Sequence, residues 1–164
     1  MPTTASERTG HLVHRPVATG PAFWGPGDHY TFLVTGEETG GAYFAMEALV
    51  PPGGGPPPHI HTREDETFYV LEGEIEFLLG EETILAGPGD FVNVPRQTVH
   101  RFLNVGAETA RLVLTFTPAG IDRWFAEILD AAPNEIRPED VPDNVDEVAA
   151  RYVATASAYG IAFV

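Results

Sequence analysis

The sequence predicts an all-β fold, a mainly β antiparallel sandwich or barrel, with helices at its C-terminal end. Short β-prone runs recur about every ten residues between positions 59 and 117, with no helical segment between them. The chain is rich in turn formers, with 17 glycines and 15 prolines among 164 residues. Helical spacing of apolar residues begins only after Pro118. These observations favour many short strands around one core.

The N-terminal third predicts an arm, two strands and a stiff loop. Residues 1–10 are polar and are expected to form the arm. Runs rich in β-branched and aromatic residues predict strands at 29–35 and 43–50, with a glycine-containing turn cluster at 36–41. The loop at 51–58 consists only of proline and glycine. It forms no regular element, because proline fixes φ and lacks a backbone donor.

Seven further strands are predicted, and glycines separate most of them. They lie near 59–62, 66–72, 74–79, 82–86, 90–94, 99–104 and 109–117. The separating glycines are Gly73, Gly80, Gly89 and Gly106. Because the connections are short, neighbouring strands are expected to pair in antiparallel fashion.

After Pro118 the pattern changes to helical. Apolar residues at positions 121, 124, 125, 128 and 129 predict a helix over 121–130. Asp143 or Asn144 is the expected N-cap of a second helix that runs to about residue 158.

These elements divide the chain into two parts of one domain. Residues 1–118 are expected to form the β-barrel with its N-terminal arm. Residues 119–164 are expected to form a helical appendage packed on that barrel.

Composition excludes several classes of partner and chemistry. The net charge of −15 opposes nucleic-acid binding and docking on an anionic membrane. All basic residues are arginine and there is no cysteine, which excludes Schiff-base lysines, thiolate nucleophiles and thiolate metal sites. The N-terminus has no apolar signal core, and no apolar run approaches the ~20 residues of a membrane span. A cytoplasmic protein without membrane partners is therefore expected.

Three histidines and one glutamate form the candidate metal site. His59 and His61 lie two residues apart, so on a strand both point to the same face. Glu66 lies five residues after His61, so on one continuous strand its side chain would point to the opposite face. It reaches the two histidines only if the chain bends near 62–65. His100 would arrive from a later strand if the barrel closes. Three imidazoles and one carboxylate are a donor set that first-row divalent metals prefer.

The first segment resembles the first motif of the cupin family. Gly53 is followed after five residues by His59 and His61, after four more by Glu66, and after six more by Gly73. The resemblance implies a double-stranded β-helix, or jelly-roll barrel, in which His59, His61 and Glu66 are metal ligands. Cupins also commonly dimerise, so a homodimer is expected.

A later segment resembles the second cupin motif. It contains Gly89, then Pro95 after five residues, then His100, and Asn104 after three more. The resemblance makes His100 the fourth ligand. The segment departs from the motif at Gln97, where the family has glycine. This departure is expected to alter the turn before His100 and to leave His100 in place.

The proline-rich run and the helical tail look like monocupins labelled quercetin 2,3-dioxygenase-like. This likeness implies a bound divalent ion (Fe, Mn, Ni, Co, Cu or Zn), a small aromatic or enolic substrate, O₂, and Glu66 as ligand and catalytic base. Two alternatives stay open: a non-oxygenase isomerase, cyclase or decarboxylase, and a non-catalytic cupin that binds a small molecule. No organic cofactor is expected.

Side chains near the motifs are candidates for substrate contacts. The aromatic candidates are Phe32, Phe44, Phe68, Phe77, Phe91, Phe102 and Phe116. Arg63, Arg96 and Arg101 are candidates for recognising an acidic substrate. Trp24 and Trp124 are expected to be packing residues.

Overall fold

The computed structural model describes residues 9–136 and 140–164. Two antiparallel sheets enclose one hydrophobic core in a jelly-roll sandwich, and helices follow at the C-terminal end. The predicted all-β fold with C-terminal helices is thus confirmed. Residues 1–8 of the predicted arm lie outside the described part.

Twelve strands lie in the described residues. They are β1 (Ala22–Trp24), β2 (His29–Val34), β3 (Phe44–Val50), β4 (His59–His61), β5 (Asp65–Glu72), β6 (Ile75–Leu79), β7 (Glu82–Ala86), β8 (Phe91–Val94), β9 (His100–Asn104), β10 (Ala110–Thr117), β11 (Asp130–Ala131) and β12 (Ile161–Phe163). The larger sheet has the order β11-β1-β2-β3-β10-β5-β8, and the smaller has the order β12-β4-β9-β6-β7. The nine strands predicted from the sequence are all present, within two residues at each end.

Strand β10 shows why this sequence forms a sandwich. It lies between β3 and β5, and its buried and half-buried residues alternate. Leu112, Leu114 and Phe116 point inward and are at most 2% exposed. Burying one such side chain contributes about 1.5–3 kcal/mol, which makes the alternating pattern the main stabiliser of the strand.

The C-terminal segment contains two helices and one short 3-10 turn. Helix α1 (Ile121–Ile128) ends two residues earlier than predicted, and helix α2 (Val145–Thr155) continues into a 3-10 helix, Ala156–Tyr159. Trp124 and Phe125 of α1 and Val148 of α2 belong to the core. Within the described residues no helix has both the length and the apolar character to cross a membrane.

Three short strands were not predicted. Strand β1 pairs with β2 and β11, and strand β12 pairs with β4 of the smaller sheet. Each is only two or three residues long, so it carries no measurable periodicity. Consequently the segment after position 118 is not purely helical, because it contributes an edge strand to each sheet.

The turns around the candidate site match the sequence pattern. The chain bends between β4 and β5, as the parity of Glu66 requires. Buried Asn104 holds the turn after β9: its side-chain amide donates to the carbonyls of Val50 and Glu108, and its Oδ1 accepts from the N–H of Gly106. The end of β9 is thereby fixed beside β3.

Candidate metal centre

The four predicted ligands converge inside the sandwich. One donor atom from each of His59, His61, Glu66 and His100 lies within 4.8 Å of the other three. All four residues are buried, with 2–7% exposure. The structure therefore brings together every residue that the sequence placed in the site.

Strand geometry explains this convergence. His59 and His61 point to the same side of β4 because side chains alternate along a strand. Strand β9 pairs with β4 so that His59 is directly opposite His100. Glu66 enters from β5 in the other sheet, on the same inward face as Phe68. The centre thus bridges the two sheets.

Backbone carbonyls orient two of the imidazoles. The Nδ1–H of His59 donates to the carbonyl of Pro57 at 2.9 Å, and the Nδ1–H of His100 donates to the carbonyl of Thr98 at 2.9 Å. These contacts leave the Nε2 atom of each ring directed at the other ligands. This is the tautomer that a metal-binding histidine uses, with its second nitrogen held by an acceptor.

Glu66 contacts two of the three histidines. Its Oε2 lies 2.9 Å from His100 Nε2 and 3.2 Å from His61 Nε2. Burial raises the pKa of Glu66, but the contacts with His100 and His61 outweigh burial and lower that pKa to about 2. Glu66 Oε2 and the two Nε2 atoms all carry lone pairs. Atoms of this kind at such short distances require a proton or a cation between them.

The histidines differ in electrostatic setting. Burial lowers the pKa of His59 to about 4, and the neighbouring His100 acts in the same direction. Burial also disfavours charge on His61, but the carboxylates of Glu64 and Glu66 outweigh it and raise the pKa of His61 to about 9. His59 is therefore a neutral donor, whereas His61 holds a proton that a metal ion would displace.

Glu64 is a site residue that the sequence did not reveal. It lies in the acidic run 64–66, which is typical of a solvated turn, yet it is only 3% exposed. Its Oε2 is 3.6 Å from His61 Nδ1. Glu64 lies two residues before Glu66, and residues two apart on an extended chain share a face. This spacing was the feature of the sequence that indicated an inward-facing Glu64. Asp65 points outward and pairs with Arg96.

These residues fit a divalent first-row metal ion. Buried imidazole nitrogens and one carboxylate oxygen match the ligand preference of such ions, and their spacing allows one ion to contact all four. The anionic Glu66 also offsets part of the ion's charge in a buried setting.

A small cavity adjoins the four clustered side chains. Its volume is about 30 Å³. Its lining residues, besides three of the ligands, are Tyr30, Met46, Pro56, Phe102, Leu114, Phe116, Trp124, Phe125, Tyr152, Ile161 and Phe163. The wall is thus mostly aromatic and aliphatic. Residues from α1, α2 and β12 form one side of it, so the C-terminal segment covers the centre.

Only two of the predicted aromatic contacts line this cavity, namely Phe102 and Phe116. Phe91 is 63% exposed on the outside of β8. The other four candidates, Phe32, Phe44, Phe68 and Phe77, are buried in the core. Trp124, expected to be only a packing residue, faces the cavity while its indole N–H donates to Thr155.

The cavity contains two phenol groups near a buried acid. Tyr30 donates its hydroxyl to Asp28 Oδ2 at 3.2 Å. Burial raises the pKa of Asp28 to about 7, despite the opposing hydrogen bond from Tyr30. Burial also raises the pKa of Tyr152, with Glu66 and Asp28 acting in the same direction. Both phenols therefore stay neutral and can donate or accept hydrogen bonds.

The three candidate arginines are engaged elsewhere. Arg63 donates to the carbonyl of Ala158, and Arg101 pairs with Glu76. Arg96 forms its ion pair with Asp65 at the surface. None of the arginines in residues 9–136 and 140–164 lines the cavity. Their predicted role in recognising an acidic substrate is not supported.

Comparisons with known proteins agree with this geometry. Residues 46–116, which contain all four clustered side chains, match the family model described as "Cupin domain". The chain is 28% identical over 113 residues to quercetin 2,3-dioxygenase of Bacillus subtilis, covering 68% of this chain and 33% of that protein. It is 37% identical over 94 residues to polyketide synthase CurC of Streptomyces cyaneus, covering 56% of this chain and 60% of that protein. The chain thus spans about a third and three fifths of these relatives.

Among solved structures, one similar chain is a predicted oxalate decarboxylase from Thermotoga maritima. The TM-score is 0.59 at 20% identity, and the match covers 65% of this chain and 99% of that chain. A likeness at this level of identity shows a shared fold.

Proposed function

Because this chain belongs to the cupins, we propose that it is a metal-dependent dioxygenase acting on a small aromatic or enolic molecule. The observation that supports this proposal most directly is a buried cluster of three histidines and one glutamate beside an aromatic cavity. The similarity to quercetin 2,3-dioxygenase supports the same reaction class. A shared fold alone does not specify chemistry, so the proposal depends on the site.

His59, His61, Glu66 and His100 would hold one divalent ion: iron, manganese, cobalt, nickel, copper or zinc. When bound, a redox-capable ion supplies the means to bring an enolate and O₂ together and to pass electrons between them. The protein contributes fixed donor orientations, since backbone carbonyls hold His59 and His100, and a cavity walled mainly by apolar side chains.

The cavity wall favours an uncharged aromatic or enolic substrate over a dicarboxylate. Aromatic faces contact flat rings well. A dianion such as oxalate would have the metal ion as a cationic partner but no arginine to hold its far end, because the described arginines lie outside the cavity. The Tyr30 hydroxyl donates to Asp28 and also contacts the Tyr152 hydroxyl, so the two phenols together present a polar edge to a substrate hydroxyl.

Glu66 has two roles in this proposal. Its carboxylate is one donor to the ion, and its free lone pairs can accept the proton of an enolic hydroxyl. Its burial between His61 and His100 keeps bulk water from competing for that proton. Glu66→Gln would keep an oxygen donor and remove the base.

The substrate must displace part of the C-terminal cover. A cavity of about 30 Å³ holds roughly one water molecule, whereas drug-sized ligands occupy pockets of about 300–1,000 Å³. Tyr152, Ile161 and Phe163 close this side. They belong to α2 and β12, and β12 is a three-residue edge strand held mainly by its pairing with β4. We place substrate entry at this edge.

The outer edges of the sandwich support a homodimer. Strands β7 and β8 each end a sheet. Leu85 on β7 and Phe91 on β8 are 62% and 63% exposed, and Tyr69 lies opposite Phe91. Large apolar side chains on unpaired edges are suited to contact with a second copy. Analytical ultracentrifugation of wild type and Phe91→Ser should show a dimer that the variant weakens.

The function is tested by metal analysis followed by oxygen consumption. The purified protein is loaded in turn with each candidate ion, and a panel of flavonols and related enols is added in an oxygen electrode. Consumption of O₂ with loss of the substrate absorbance is expected for at least one ion. His61→Ala should lose metal and activity, whereas His14→Ala, which removes an exposed histidine, should retain both.

Two outcomes contradict the proposal in different ways. Full metal content in His61→Ala would refute the ligand assignment. Turnover of an enol at equal rate without O₂ would retain the metal site and replace the dioxygenase with an isomerase or decarboxylase.

A further inference from the structure

The three histidines of the centre do not have equivalent partners. His59 and His100 each donate Nδ1–H to a neutral backbone carbonyl two residues earlier in the chain. His61 has no such carbonyl, and its Nδ1 lacks a hydrogen-bond partner among the described residues. The residue that faces this nitrogen is Glu64.

Glu64 is an unpartnered carboxylate aimed at the centre. It is 3% exposed, and its buried Oε2 also lacks a hydrogen-bond partner within the described part of the chain. It lies 3.6 Å from His61 Nδ1, about half an ångström beyond an ordinary hydrogen bond. A buried carboxylate is unfavourable unless it is paired, so this position needs a function or a partner.

We infer that Glu64 is a positioning residue, which accepts the Nδ1–H of His61 and makes His61 the strongest nitrogen donor of the proposed metal centre. This inference rests on the proposed metal site. An imidazole whose second nitrogen faces a carboxylate is held in one tautomer and is a more basic ligand than one that faces an amide carbonyl. The result is an electronically asymmetric set of histidines.

The asymmetry also places a second buried acidic side chain next to the centre. Glu64 faces His61 Nδ1, whereas Glu66 faces His61 Nε2. Glu66 would act on the ion directly, and Glu64 only through His61. The two acidic residues are therefore distinct in their effects.

The test uses two substitutions of Glu64 and one matched control. Glu64→Gln keeps an acceptor oxygen and removes the charge, and Glu64→Leu removes both. Asp65→Asn removes one charge at the next position, on an exposed side chain whose ion pair with Arg96 is worth little. Co²⁺ affinity is measured by competition with a chelator. Glu64→Leu should bind about 10–100-fold more weakly, Glu64→Gln less so, and Asp65→Asn as wild type.

A second readout separates positioning from general destabilisation. In the Co²⁺-loaded protein, the ring N–H protons of the three histidines give paramagnetically shifted, exchangeable proton NMR signals. Glu64→Gln should shift one of these signals and leave the other two in place. Wild-type affinity together with three unchanged signals would overturn the inference, as would equal shifts of all three signals.

The same experiment distinguishes failure of the site from failure of the inference. If wild type takes up no Co²⁺ or any other candidate ion, the metal centre and the role of Glu64 fall together. If wild type binds Co²⁺ and both Glu64 variants match it, the metal centre stands and only the role of Glu64 is refuted.

Discussion

Asp28 should make the protein less stable as the pH rises, and Asp28→Asn should remove this effect. Asp28 is 3% exposed, and its Oδ1 lacks a hydrogen-bond partner among the described residues. Burial raises its pKa from 3.8 to about 7, although the Tyr30 hydroxyl opposes this. An acid with a raised pKa binds its proton more tightly when folded. Its stabilising contribution is therefore complete below pH 3.8 and is lost as the pH rises through 7.

The size of the effect follows from the two pKa values. Their difference corresponds to about 4 kcal/mol between the limits of low and high pH. About half of this free-energy change falls near the isoelectric point of about 4.5, where solubility is poor. Between pH 5.5 and 8.5, the same two values predict that wild type loses about 2 kcal/mol relative to Asp28→Asn.

Urea unfolding at pH 5.5 and pH 8.5, followed by tryptophan fluorescence, measures this difference. Comparing the pH dependence of the two proteins cancels any fixed effect of the new amide group. Asp65→Asn is the matched control, because burial of the exposed Asp65 is slight and Arg96 lowers its pKa to about 2. Parallel pH profiles for wild type and Asp28→Asn would refute the reasoning.

Three further predictions concern the turn before His100 and the metal centre. Gln97 is exposed and has a φ of 70°, a left-handed conformation that glycine adopts without strain. Gln97→Gly should therefore raise the free energy of unfolding by about 0.5–1 kcal/mol, measured by urea titration. A less stable variant would contradict this. Co²⁺ at a hundredfold excess over its Kd should stabilise wild type by about 2.7 kcal/mol, reversibly with EDTA; an equal shift in His61→Ala would argue against the site. In metal-free protein the raised pKa of His61 gives stability that is full below pH 6.5 and lost as the pH rises through about 9. His61→Gln should lack this alkaline loss in thermal melts, and an unchanged alkaline slope would count against the carboxylate contacts.

The departure at Gln97 now has a physical description. The family motif has glycine here, and the structure shows a left-handed backbone, which glycine adopts without strain. The backbone N–H of Gln97 still donates to the carbonyl of His61 at 2.8 Å. The turn therefore keeps its path and His100 keeps its place, with strain in the backbone as the consequence.

Local pattern was sufficient for most elements, and together with the cupin motifs it identified the four side chains that the structure brings together. Strand alternation placed His59 and His61 on one face, and the parity of Glu66 required the bend that the structure contains. Helical spacing located α1, with its end misplaced by two residues because Leu129 is apolar but already extended. Such signals are readable because period and parity are properties of the chain itself.

The local sequence pattern gave the wrong exposure for some side chains, because burial depends on the packed fold. Glu64 belongs to an acidic run, and Phe91 has a strand pattern typical of the core, yet Glu64 is buried and Phe91 is exposed. The same applies to the C-terminal cover, because nothing in the three residues 161–163 indicates pairing with β4, about a hundred residues earlier in the chain.

The sequence by itself determined the nine longer strands, the two helices and the bend before Glu66, because each depends on side-chain periodicity over a few residues. The four clustered donors followed from their residue types and from the resemblance to the cupin motifs. Only the tertiary structure decided that His59 stands opposite His100, that Glu64 turns toward His61, and that Trp124, Tyr152 and Phe163 close the cavity. Those contacts join residues far apart in the chain or depend on which atoms lose water, and such information appears only when the sheets have packed.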